Sequence, residues 1–129
     1  MNMRALIVDD DTSWQGILSE MLIDNGFEVD TANTVDEAVA ALKDNSHRLA
    51  VVDLSLSVSD HHNQDGLRVL DAVRLLDPNC RAILLTGFAT VEVAVKALTE
   101  YNAFTLLPAE SFNHSELKDV IQRILVSAP

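Results

Sequence analysis

Carboxylates dominate the chemistry open to this chain. Asp9-Asp10-Asp11 stand in a row after the apolar Leu6-Ile7-Val8, and Asp53 ends a second apolar run, Leu49-Ala50-Val51-Val52. Like charges this close repel one another unless a cation or a helix N-terminus offsets them. An oxygen-rich set without thiolates or a close imidazole pair suits Mg²⁺ with retained waters better than zinc. A carboxylate beside such an ion can act as a nucleophile toward a phosphoryl group. Thr86, after the buried strand expected from Arg81 to Leu85, could supply a hydroxyl hydrogen bond to that group.

The elements that must position these residues follow from periodicity. Four or five apolar residues in a row, as before Asp9, Asp53 and Thr86, suit strands buried on both faces of a parallel sheet. Phe27 to Asn33 alternates instead, which predicts an edge or half-covered strand, and Phe104 to Leu107 is a fifth strand halted by Pro108. Trp14, Ile17, Leu18, Met21 and Leu22 fall at helical spacing, with Asp11 or Thr12 as N-cap and Gly26 as the stop. Thr34 to Glu37 reads as a capping box for a second helix ending near Asp44-Asn45.

Leu67, Leu70 and Val73 mark a third helix, stopped by Asp77-Pro78. Val91, Ala94, Val95, Leu98 and Tyr101 predict the inner stripe of a fourth, closed by Asn102 in the left-handed conformation. Asn113 caps a fifth, with Leu117, Val120, Ile121, Ile124 and Leu125 inward. Strand and helix thus alternate five times, which specifies a parallel α/β sheet with helices on both faces. In such sheets ligands bind beyond the carboxyl ends of the strands, where Asp9, Asp10, Asp53 and Thr86 all emerge.

Composition narrows the class. At 129 residues and 48% hydrophobic the chain can bury one core, so residues 1–129 are expected to form one domain. No apolar run approaches the ~20 residues that span a bilayer, and no signal-peptide pattern opens the chain, so no membrane contact and a cytoplasmic location are expected. A net charge of −11 without any Lys/Arg cluster argues against direct nucleic-acid binding. Cys80 is the only cysteine, which rules out an internal disulfide and suggests a buried structural thiol.

Leu6-Ile7-Val8-Asp9-Asp10-Asp11, the strand ending in Asp53, Leu85-Thr86-Gly87 and the late Leu107-Pro108 together resemble the receiver domain of bacterial response regulators, over essentially the whole chain. The resemblance implies a flavodoxin-like (βα)5 three-layer sandwich whose five-stranded parallel sheet has the order 2-1-3-4-5. It implies a signalling module, not an enzyme, in which Asp53 accepts a phosphoryl group from a histidine kinase or phosphotransfer protein with Mg²⁺ as cofactor. Asp9, Asp10 and Asp53 would hold the metal together with the backbone carbonyl of Ser55. Thr86 would be the switch hydroxyl and Phe104 the switch aromatic. A homodimer or partner contact would be sought on the face formed by the fourth helix, fifth strand and fifth helix.

Two departures from the family pattern bear on activity. Leu107 stands where the family has the lysine of a Lys-Pro pair, removing a charge-assisted contact of about 1.5–3 kcal/mol to the phosphoryl group. An apolar Leu107 beside Asp53 should also favour the neutral acid. Asp65-Gly66 lies further beyond Asp53 than is usual, by about five residues, lengthening a polar loop that carries His61 and His62. These histidines could bind a transition metal or sense pH, but a solvated pair is the simpler reading.

Impaired or altered activation is therefore expected, with a phosphorylation-independent docking or dimerisation module as the alternative. Asp9 to Ser13 also approaches a motif of haloacid dehalogenase-like phosphatases. The chain lacks the downstream acidic pair and the room for a cap domain that this third reading needs. Whether the receiver stands alone or belongs to a longer regulator is open at this level.

Overall fold

Each apolar run becomes a strand, and the chain alternates β1 (Arg4–Val8), α1 (Thr12–Asp24), β2 (Glu28–Ala32), α2 (Val35–Asp44), β3 (Leu49–Asp53), α3 (Asp65–Leu76), β4 (Arg81–Thr86), α4 (Val91–Thr99), β5 (Thr105–Pro108) and α5 (His114–Val126). The structure is a computed structural model that describes residues 3–54, 65–87, 91–109 and 112–126. Ser55, His61 and His62 lie outside the described residues. All strand pairs are parallel and the sheet order is β2-β1-β3-β4-β5. This is the flavodoxin-like arrangement, with β2 at an edge as its alternation suggests.

The sheet is covered on both faces, and this is why its central strands read as continuous apolar runs. Ile7, Val51 and Ile83 pack under Leu18 and Leu22 of α1 and Leu117, Ile121 and Ile124 of α5. Val8, Val52 and Leu84 pack on the other face with Ala38 and Leu42 of α2, Leu70 and Val73 of α3, and Ala97 of α4. The middle layer is fixed in register by partners such as Val8↔Val52 and Asp53↔Leu85.

The caps fall at the expected residues. Asp11 accepts from the N–H groups of Ser13 and Trp14, Thr34 from Glu37, and Asn113 from Glu116. Glu37 reaches back to the N–H of Asn33, one residue before the N-cap. Gly26 and Asn102 take the positive φ values of 92° and 59° that close α1 and α4. Trp14 is half-buried and meets Phe112 edge to face at 5.8 Å. Cys80 is buried, and that burial, with the Asp77 charge nearby and only partly offset by Arg81, pushes its thiol pKa upward.

Two apolar stripes differ from expectation. Ile17 of α1 is 46% exposed, so the seam of that helix is narrower than its sequence suggests. In α4, Val95 and Leu98 face outward at 53% and 44% exposure, while Ala97 is fully buried. The polar Glu92, Lys96 and Thr99 fill only a narrow sector of α4, so its apolar sector is wide and leaves open which of the apolar residues turn inward. The small Ala97 is the side that approaches the core.

Below the sheet lies a polar cluster that the sequence does not announce. His47, 1% exposed, bonds through Nε2 to the Asp30 carboxylate at 2.8 Å, and its backbone N–H donates to Asp77 at 2.8 Å. Partial burial of Asp30 works to raise its pKa, yet hydrogen bonds from His47 and Arg4 hold it below the usual carboxylate range. Arg48 donates to the carbonyls of Ile124 and Leu125, satisfying the end of α5. Asp77→Ala would leave the buried His47 N–H unpaired and should cost about 1–3 kcal/mol, read as a lower urea midpoint at unchanged m.

Candidate functional site

Parallel register brings the strand ends to one level. β1 ends just before Asp9, and its last pair with β3, Val8↔Val52, sets Asp9 and Asp10 opposite Asp53. Carboxylate oxygens of Asp9, Asp10 and Asp53 all lie within 4.8 Å of one another. Asp9 is buried, whereas Asp10 and Asp53 are half-buried. Three hard oxygen donors converging this way fit a divalent cation such as Mg²⁺.

The electrostatics point the same way. Burial pushes the Asp9 carboxyl up from the ordinary 3.8 to about 6, against the lowering effect of hydrogen bonds from the Asp11 N–H and with the Asp53 side chain. The charges of Asp10 and Asp11 add to the rise. Asp9 accepts the Asp11 N–H at 2.9 Å, while the Asp9 N–H donates to Ala32 at 3.0 Å, so the residue is held from both sides. A cation among the three carboxylates would remove the repulsion that the fold otherwise tolerates.

Two supports for the site make contacts that the sequence does not show, although Asp65-Gly66 itself reads as part of the family pattern. Gln15, on the first turns of α1, donates through Nε2 to the Asp9 carbonyl and to Asn33 Oδ1, tying the helix to the ends of β1 and β2. Its spacing from Asp9 carries no motif. Gly66 is buried in the first turn of α3, and its N–H donates to the Leu54 carbonyl at 2.7 Å. A Cβ here would lie 2.5 Å from the Leu54 Cα and closer still to the Asp53 carbonyl oxygen. The absence of a side chain is what lets α3 land on the backbone that carries Asp53.

The remaining expected residues are placed as follows. Thr86 ends β4 and is 5% exposed, one residue beyond Leu85, the partner of Asp53. Phe104 is half-buried at the amino end of β5, where its N–H donates to Ala82 at 2.7 Å. Leu107 pairs with Leu85, so β4 intervenes between it and Asp53. Its side chain is 5% exposed and belongs to the core beneath α1 and α5, beside Leu117 and Val120. Ser55, the expected carbonyl ligand, is outside the described residues.

Residues 5–122 match the family model of the response regulator receiver domain. The chain belongs to this family. It is 38% identical over 93 residues to the acid tolerance regulatory protein ActR of Rhizobium meliloti, an overlap of 72% of this chain and 45% of ActR. A CheY-like receiver domain protein from Methanospirillum hungatei superposes with a TM-score of 0.85 at 29% identity, covering 97% of this chain and 94% of that one. A Burkholderia pseudomallei response regulator, crystallised with a phosphorylated aspartic acid, a calcium ion and citrate, gives 0.79 at 25% identity and covers 97% and 74%.

The receiver spans less than half the length of the curated relatives of which ActR is one. Receivers of this family are signalling modules of two-component systems, generally bind Mg²⁺ and are phosphorylated on aspartate by histidine kinases. Among the described residues no helix is long and apolar enough to cross a membrane.

Two outcomes test the geometry. Gly66→Ala should destabilise the receiver by about 1–3 kcal/mol, since only backbone atoms stand in the way and they cannot rotate aside; urea unfolding reads the loss. A proton on Asp9 competes with a cation, so Mg²⁺ affinity measured by calorimetry should fall about tenfold per pH unit below pH of about 6 and level off above it.

Proposed function

We propose that Asp53 is the phospho-acceptor of this receiver and that Asp9 and Asp10 hold Mg²⁺ with it. The observation that carries this reading is the convergence of three carboxylates within 4.8 Å at the carboxyl ends of β1 and β3. The ion, when bound, supplies positive charge to the phosphoryl oxygens. The Asp53 carboxylate attacks phosphorus, the bond to the donor's histidine nitrogen breaks, and an acyl phosphate remains on β3. The backbone carbonyl of Ser55 completes the ligand set, Thr86 donates its hydroxyl to the new phosphoryl group, and Phe104 moves inward when that bond forms.

Activation is impaired relative to a lysine-bearing pocket. Leu107 offers no ammonium to the phosphoryl oxygens, and its burial against Leu117 keeps it in the core. The missing charge-assisted bond lowers the stability of the phosphorylated state. Residues 1–129 form one receiver domain, with a histidine kinase or phosphotransfer protein as donor in the cytoplasm and no nucleic-acid contact of its own.

A second reading, a docking or dimerisation module independent of phosphate, is favoured by the outward-facing Val95 and Leu98. They leave apolar surface exposed on α4, one element of the α4-β5-α5 face on which a second copy would pack. Incubation with acetyl phosphate and Mg²⁺ separates the two. A phosphoryl adduct seen by mass spectrometry and lost in Asp53→Asn is the expected result. No adduct, with dimerisation that Asp53→Asn leaves intact and Val95→Glu abolishes, would establish the second reading.

A further inference from the structure

β2 is an edge strand, and its pairing with β1 determines which of its backbone groups are left over. The Glu28 N–H donates to Met3 at 2.8 Å and the Ala32 carbonyl accepts from Asp9 at 3.0 Å. The even-numbered residues therefore face β1. By the two-residue period, the N–H and C=O groups of Val29 and Thr31 point away from the sheet. They open into a groove of about 530 Å³ between β2 and α2.

The groove is acidic. Asp30, Glu37 and Asp44 line it, with Ala41 as apolar floor and no basic side chain among its lining residues. Asp30 is already paired with Arg4 and His47, so Glu37 and Asp44 are the carboxylates that a cationic side chain would meet. Asp44 lies in the last turn of α2, where a carboxylate is disfavoured by the helix dipole, and among the described residues it has no ion-pair partner. A second copy of this chain would bring its own acidic edge and a net charge of −11 against the same surface. Nucleic acid is disfavoured for the same reason.

We infer that the β2 edge and the α2 wall form a docking groove for an extended basic segment of a partner protein, which adds to the sheet beside β2 through the outward backbone groups of Val29 and Thr31. Backbone pairing supplies the affinity and the carboxylates select lysine or arginine on alternate positions. The surface is separate from the carboxylate cluster and from the α4-β5-α5 face, so a receiver could hold this segment in either phosphorylation state.

The probe is a synthetic peptide alternating lysine with valine, titrated into ¹⁵N-labelled protein. Saturable shifts of the Val29 and Thr31 amides are expected, weakened about tenfold by Asp44→Lys and by moderate salt. Asp44→Lys places a cation at a helix C-terminus, which favours folding. The same peptide with a central proline should not bind, because it cannot complete the ladder. Equal binding of the proline peptide, shifts confined to other surfaces, or no saturable binding would overturn the proposal. Concentration-dependent shifts at Val29 and Thr31 without peptide would assign the edge to a second copy and overturn it equally.

Discussion

Crowding of three carboxylates by strand register is the constraint around which the receiver is built. The fold does not relieve it by separating the groups, because parallel pairing of β1 with β3 sets Asp9 and Asp10 level with Asp53. Part of the strain is carried by Asp9, whose burial and charged neighbours favour the protonated form. The rest is held by rigid surroundings: a sheet covered on both faces, Gln15 bracing the ends of β1 and β2, and α3 seated directly on the Asp53 backbone. A cation bound among these groups would remove a penalty as well as add attraction.

The substitution at Leu107 has a structural counterpart. An ammonium there would have to leave the core to reach the cleft, whereas leucine joins Leu117 and Val120 under α5. The residue has moved from the polar service of the site to the apolar packing of the sandwich.

Strands were easiest to read in the sequence because burial on both faces leaves runs such as Leu49 to Val52 with no polar interruption, and their termini mark Asp9, Asp53 and Thr86 at once. Caps were legible because Asp11, Thr34 and Asn113 act over two or three residues. What escaped was non-local. His47 reads as a polar residue before a strand, and its burial follows from Asp30 and Asp77, far away in the chain. The inner face of α4 was hidden by the width of its apolar sector, Gln15 matters through contacts that no spacing rule encodes, and the Asp65-Gly66 pair was legible without the backbone approach that requires its glycine.

The Gly66 N–H donates to the Leu54 carbonyl at 2.7 Å, so the start of α3 is clamped to the end of β3. With no side chain to act as a spacer there, a displacement of α3 is passed directly to the backbone that carries Asp53. The helix and the carboxylate cluster therefore behave as one mechanical unit.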